Sequence, residues 1–323
     1  MCDARRTVGP VDIVGTAIAA MRAGEPRSAR GRFTGAWGLR FDSAGGLGVH
    51  IVLQGSCWLL PPEGAPVQLT AGDVVLVPFN QAHGLANDPN TPLEDVRRGQ
   101  QAYWQSEADL PPGVAPTVIL GATYHLRSIR PHPLIANLPA FVHMPSRIGT
   151  TQTLRDVVNL LGAELESQQP GVTAAIPALL DLLLIYIVRC WYQRADVTDG
   201  WAQALRDPGI SAALAAIEQH PEHPWTVGTL AREAGSSRAV FARRFHDLIG
   251  QPPVAYLTWW RMTAASHLLR ETNQPLQVIA AKSGYQNEYA FSRAFKREFD
   301  TAPGSYRRTY CIPSEASAMD GSR

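Results

Sequence analysis

Cysteine is scarce and poorly spaced for chemistry: Cys2, Cys57, Cys190 and Cys311 are the four in 323 residues, and no two are close enough for a zinc knot or a disulfide framework. Thiols so scattered are expected to be reduced, which places the chain in the cytoplasm. Charge is sparse as well, at 18% of residues and a net +1, while 45% are hydrophobic. That balance excludes a disordered polyelectrolyte and fits globular material long enough for two domains. An apolar leader is missing from the opening MCDARRTVGP. The strongest apolar run, 176–191, contains Asp181 and Arg189 and is too short and too charged to be expected in a membrane.

The small net charge hides an asymmetry. Residues 226–310 hold 12 Lys and Arg against 6 acids, whereas the remainder holds 17 basic and 22 acidic residues. A basic C-terminal third on a mildly acidic body points to a polyanion-binding module joined to something else.

Texture divides the chain further. Residues 11–21 have helical spacing and stop at Gly24 and Pro26, within an N-terminal arm of 1–30. From 31 to 145 short apolar runs (WGLRF, GVHIVLQG, CWLL, VQLTAGDVVLVP, TVILGATYHL) alternate with Gly, Pro, Asn and Asp, the pattern of an all-β sandwich or barrel. Over 146–195 the spacing predicts a helical hairpin broken at Pro170-Gly171. Its second helix is apolar around more than one face. That apolarity has two readings, burial against the chain's own barrel or a dimer seam, and the seam is favoured. A linker is expected at 196–207, a helical domain at 208–310 and a tail at 311–323.

The helical third repeats itself at an offset of 50: FARRF at 241–245 answers FSRAF at 291–295, Pro253 answers Pro303, and Tyr256 answers Tyr306. Upstream, LAREAGSS at 230–237 answers IAAKSGYQN at 279–287. Each copy reads as a helix, a tight turn at Gly235 or Gly284, and a second helix that buries two phenylalanines four residues apart. Two helix-turn-helix copies in a net-basic segment predict two recognition helices held side by side, entering the major groove roughly 34 Å apart.

Residues from about 208 to 308 resemble the DNA-binding domain of the AraC/XylS family of transcription regulators. The resemblance is carried by Leu230-Ala231, Ser237, Phe241 to Phe245, Gly250, Pro253, Tyr256-Leu257, Arg261-Met262, Leu268-Leu269, Ile279-Ala280, Gly284-Tyr285, Phe291 to Lys296, Pro303 and Tyr306-Arg307. Asp300 stands where the family often has glycine. With the upstream barrel, the chain resembles the subgroup that bears an N-terminal cupin sensor. The resemblance implies that Ser237, Arg238, Ala239, Ala242 and Arg243 face DNA from the first recognition helix, and Asn287, Glu288, Tyr289, Ser292 and Arg293 from the second. By chemistry, Arg243 and Arg293 suit guanine, Asn287 adenine and Glu288 cytosine. Arg238, Arg244, Lys296, Arg307 and Arg308 suit phosphates. The partners implied are double-stranded DNA, a small-molecule effector, RNA polymerase and a second copy of the chain.

The barrel carries the cupin signature in part. GDVVLVPFNQAHGLAN, 72–87, has the glycine, proline, histidine and asparagine of the fold's second motif, with Asn80 in place of a glycine. The first motif keeps His50 but has Val52 where a second histidine is expected, and Ser56 or Cys57 near the glutamate position. Two of four metal ligands are thus absent, and no cofactor is expected. Zinc on His50, Cys57 and His83 is a lesser reading, oxidant sensing through Cys57 or Cys2 another, and a metal-dependent cupin enzyme with an appended helical domain the alternative function. The expected role is a non-enzymatic sensor pocket lined by His50, Cys57, Trp58, His83 and Tyr124. His125, His132 and His143 lack ligand spacing and are expected to be surface or satisfied polar residues.

Overall fold

The computed structural model describes residues 13–15, 18, 26–43, 46–96, 115–124, 132–146, 152–167, 169–194 and 200–310. They form two compact units, one drawn from Arg22–Arg127 and Pro131–Val197, the other from Thr198–Arg323 with 13–15 and 18. The N-terminal helix expected at 11–21 falls partly outside the described residues; 13–15 and 18 are helical. The tail at 311–323, with Cys311, lies outside them, as do Cys2 and His125.

The first unit is two five-stranded sheets face to face. The strands are β1 (Arg27–Phe33), β2 (Gly38–Phe41), β3 (Leu47–Gln54), β4 (Ser56–Leu60), β5 (Val67–Thr70), β6 (Val74–Val77), β7 (His83–Ala86), β8 (Glu94–Asp95), β9 (Thr117–Tyr124) and β10 (Val142–Met144). One sheet runs β1-β9-β3-β6-β10 and the other β5-β4-β7-β2-β8. The β structure starts at Arg27, inside the segment expected to be an arm. The space between the sheets is filled by Phe33, Val52, Val75, Val77 and Ile119 from one side and Leu39, Cys57, Leu59, Leu69 and Leu85 from the other.

The outward face of the first sheet is buried too. Val49, Ile51, Val74, Leu76 and Leu120 have almost no exposure although they alternate with the inward set. A sheet covered on both faces explains why GVHIVL and VVLV read as unbroken apolar runs rather than as alternation. The cover is a helical hairpin, reached through a short helix α1 (Pro133–Ala136) and made of α2 (Gln152–Ser167) and α3 (Val172–Gln193). The Tyr124 hydroxyl donates to the Leu180 carbonyl and the Tyr192 hydroxyl to the Leu134 carbonyl, tying α3 to the sheet end and to α1.

The apolar helix is 22 residues long, so by length and composition it could cross a membrane, which the 176–191 run alone did not suggest. Leu180, Leu183, Leu184, Ile187 and Val188 are nevertheless buried within the chain, while Ile176, Leu179, Ile185 and Trp191 are only half-buried. What remains exposed is Leu160 on α2, at 53%, and Leu182 on α3, at 37%.

The second unit is helical: α4 (Gly200–Arg206), α5 (Pro208–Gln219), α6 (Val227–Glu233), α7 (Arg238–Ile249), α8 (Pro253–Glu271), α9 (Leu276–Lys282), α10 (Glu288–Phe299) and α11 (Pro303–Tyr310). The linker expected at 196–207 is corrected, because 200–206 is a helix that buries Trp201, Ala202 and Ala204. Gly200 is required there: a Cβ would come within 2.3 Å of the Leu248 carbonyl oxygen. Asp207 then caps α5, its Oδ1 accepting from the Gly209 and Ile210 amides.

Candidate functional site

The offset-50 repeat is a repeat of packing. In the first copy Phe241, Phe245 and Tyr256 pack in sequence, tilted and then edge-on, with ring centroids 5.5 and 5.9 Å apart. In the second, Phe291, Phe295 and Tyr306 do the same at 5.7 and 5.2 Å. Gly235 and Gly284 take φ of 60° and 74° at the two turns, a backbone that glycine adopts without steric cost. Both phenol groups are satisfied, one on the Glu218 carboxylate and one by Arg270 Nη1.

With the phenylalanines buried, the opposite faces of α7 and α10 are open. Arg238, Ala239 and Arg243 are exposed on α7, and Glu288, Tyr289, Arg293 and Lys296 on α10, while Ala242 and Ser292 are half-buried at their edges. Arg243 and Arg293 occupy the same register position. Tyr289 is 73% exposed where α7 has only Ala239, and the Arg293 guanidinium lies 5.9 Å from its ring. The sequence reading missed two residues on these faces. Val240 is 46% exposed in the first turn of α7. His246, exposed, sits at the position that Lys296 holds on α10, and the repeat itself was the signal that could have found it.

Four of the side chains expected to contact DNA also have partners within the chain. Asn287 Oδ1 accepts from the Ala290 amide at 2.8 Å as the cap of α10, which engages one lone pair of the oxygen; its exposed amide group can still donate. Ser237 caps α7 in the same way through the Val240 amide, leaving its hydroxyl proton free. Arg244, with its side chain 63% exposed, is ion-paired with Asp207, and the half-buried Arg307 donates to the Gln274 carbonyl, so each has one partner within the fold. Arg308 is exposed and bonds Ser305 Oγ at 3.0 Å.

In the barrel the structure brings together two of the five expected pocket residues. His50, from β3, and His83, from β7, reach across the sandwich and meet Nε2 to Nε2 at 2.7 Å. His83 Nδ1 donates to the Gln81 carbonyl at 2.6 Å, since a carbonyl can only accept. The neutral His83 therefore has a bare Nε2, and His50 donates to it through its own Nε2–H. Phe41 lies parallel to His83 at 4.9 Å and Phe141 meets it edge-on at 5.9 Å. Neither ring was expected here, although Phe41 is the inward residue after Leu39 on β2 and pairs His83 directly. Burial, then the neighbouring His83, holds the His50 pKa well below the ordinary imidazole value. Burial lowers that of His83, with partial opposition from the Gln81 hydrogen bond. The turn that delivers His83 explains Asn80: it has φ of 44°, a region that asparagine tolerates, and its Oδ1 lies over Gly48, where a Cβ would approach to 2.6 Å.

The other three do not join the pair. Tyr124 lies on the opposite face of its sheet, bonded to α3. Trp58 alternates with the core residues Cys57 and Leu59 and so faces out. Cys57 is 1% exposed between the sheets, and burial, with a smaller contribution from Asp73, pushes its pKa up to about 12. A thiol so shielded and so protonated is poorly placed to meet an oxidant; Cys2, the other candidate, lies outside the described residues. Among the described residues no three His, Cys, Asp or Glu side chains gather as metal ligands, so the zinc trio is not assembled. His132 caps α1 by accepting from the Leu134 amide, and His143 bonds the buried Asp73 at 3.2 Å.

These two sites match known families. Residues 12–193 match the Cupin family and residues 230–309 the family described as a helix-turn-helix domain. The chain is 33% identical to the HTH-type transcriptional regulator AlkR of Acinetobacter baylyi, over 85% of this chain and 92% of that protein. It belongs to the AraC-like transcription regulators that carry an N-terminal cupin domain. A second family member, an AraC-like transcription regulator of Streptomyces antibioticus, is 32% identical over 85% of this chain and 91% of its own. Among solved structures the chain is similar to the DNA-binding domain of AdpA in complex with a target DNA. The identity is 32%, over 32% of this chain and 93% of that one, with a TM-score of 0.31. Like other members of the family, the chain is a DNA-binding regulator of transcription.

Proposed function

We propose that the chain reads two adjacent major-groove segments of its operator, one with α7 and one with α10, and that the cupin unit adjusts this binding in response to a small-molecule signal. The observation that carries the reading is Arg243 and Arg293, exposed at one register position of two helices whose opposite faces are buried by the same aromatic triad. Arg243 and Arg293 contact guanine, Tyr289 and Val240 pack on base edges or thymine methyls, and Arg238, His246, Lys296 and Arg308 hold phosphates. The barrel works as a sensor and not as a catalyst. His50 and His83 are committed to each other and to Gln81, and the signal acts by making or breaking that contact. The chain acts in the cytoplasm as a homodimer, with RNA polymerase as a further partner.

A gel-shift titration tests the reader. Against a duplex selected by the wild-type chain from a random library, Arg243→Ala and Arg293→Ala should each weaken binding by about 1–3 kcal/mol and relax preference at one position in one segment. A double variant that retained affinity and preference would sink the assignment.

A further inference from the structure

Two recognition helices read a two-part operator only if their separation is fixed, and α8 is the helix common to both copies. Arg261 lies at its middle, half-buried, and its guanidinium is held by backbone carbonyls. Nε donates to the Pro221 carbonyl at 2.7 Å and Nη2 to the His223 carbonyl at 2.8 Å. Both carbonyls belong to the loop between α5 and α6, the entry to the first helix-turn-helix. The same guanidinium roofs the turn of the second. A Cβ on Gly284 would come within 2.5 Å of Arg261 Nη2, 2.6 Å of its Cζ and 2.7 Å of the Pro221 carbonyl oxygen. The loop of one copy and the turn of the other are thus in contact, with the guanidinium between them. The side chains of Glu222 and Tyr285, one from each copy, both act electrostatically on it.

We propose that Arg261 is a positioning residue that sets the distance and phase between α7 and α10, and hence the spacing between the two DNA segments the protein accepts. The planar fork suits the task because two donors in one rigid plane engage two carbonyls at once; a lysine, a single point charge on a flexible stem, cannot hold both in register. Gly284 is the complementary element, since its missing side chain leaves room for the fork. The inference rests on the reading that both helices enter DNA.

The test uses full-length protein and the library-selected duplex in three forms: intact, with one segment scrambled, and with one base pair inserted between the segments. For the wild type the insertion should cost about tenfold or more in affinity, as a mismatched contact does. In Arg261→Lys and in Gly284→Ala, which keeps the arginine but displaces it and also strains the turn at φ 74°, that penalty should shrink below about threefold. Affinity for the half-scrambled duplex should stay within about twofold of wild type, because neither residue touches DNA. An unchanged insertion penalty in both variants overturns the inference. So does a parallel loss on intact and half-scrambled DNA, or unfolding of both variants at the binding temperature, since each makes Arg261 a residue of general stability. A wild-type selection that yields only one segment is a different failure: it removes the double reading itself and this inference with it.

Discussion

A histidine pair buried between two sheets has a property that neither residue has alone. His50 and His83 share one hydrogen bond whose direction is fixed by the Gln81 carbonyl, so each is neutral in the folded state and each has a lowered pKa. In the unfolded chain both return to the ordinary imidazole range, near 6.5. As pH falls through that range the unfolded state takes up protons that the folded pair refuses, so stability is full above about pH 6.5 and declines below it. The slope is at most about 1.4 kcal/mol per pH unit for each imidazole. The cupin unit should accordingly lose thermal stability between about pH 7 and pH 5, and a His50→Gln, His83→Gln double variant should lose less over the same interval. Thermal unfolding of the two proteins across matched buffers checks this, with equal slopes as the contrary result. His267, also lowered by burial and then by Arg270, is common to both proteins and cancels in the comparison.

At the scale of elements, the two helix-turn-helix copies differ at their exits as well as on their DNA faces. α7 ends on Gly250 and α10 on Asp300, both left-handed, with φ of 80° and 54°. Glycine adopts that backbone freely, whereas a side chain there meets its own carbonyl. Asp300→Gly should therefore stabilise the C-terminal unit by about 0.5–1 kcal/mol without altering DNA affinity, read from denaturant midpoints and the gel shift. A destabilised variant would mean that the aspartate side chain contributes to the cap. These elements were legible in the sequence because the repeat fixes them twice: Phe241 predicts Phe291, and Gly235 predicts Gly284. The barrel was legible as a class, through its turn residues, but not in its interior. Which face of a strand meets the opposite sheet depends on register, and a strand buried on both faces, such as LGVHIVLQ, does not reveal it. Tyr124, on the doubly covered sheet, was misplaced for that reason, whereas Trp58 alternates with Cys57 and Leu59 on β4, so those neighbours could not share one face with it. His50 and His83 came from the motif, while Phe41 and Phe141 needed the cross-sheet packing. The linker expected at 196–207 failed differently: GWAQALR, 200–206, is short, and only its docking, with Trp201 buried, makes it a helix of the domain.

The whole molecule poses one further question, whether a second copy covers what the fold leaves open on the hairpin. The barrel accounts for Leu180, Leu183, Leu184, Ile187 and Val188, so these cannot also form a seam. Leu182, two residues from Leu180 and therefore on another face of α3, and Leu160 on α2 are the large apolar side chains of the hairpin that stay exposed. If a homodimer forms there, its contact draws on Leu160 and Leu182 together with half-buried residues of α3 such as Ile176, Leu179 and Ile185. Leu160→Glu with Leu182→Glu should then shift the protein from dimer to monomer in light scattering at micromolar concentration while leaving its unfolding temperature within a few degrees, because neither side chain is in the core. DNA binding separates the consequences. A monomer keeps both recognition helices on one chain, so affinity for a single operator should survive. The gain from two tandem operators on one duplex, which comes from linking two readers, should be lost. An unchanged dimer would place the contact elsewhere. A protein that is monomeric before mutation would remove the homodimer, and the apolar face would then need another partner.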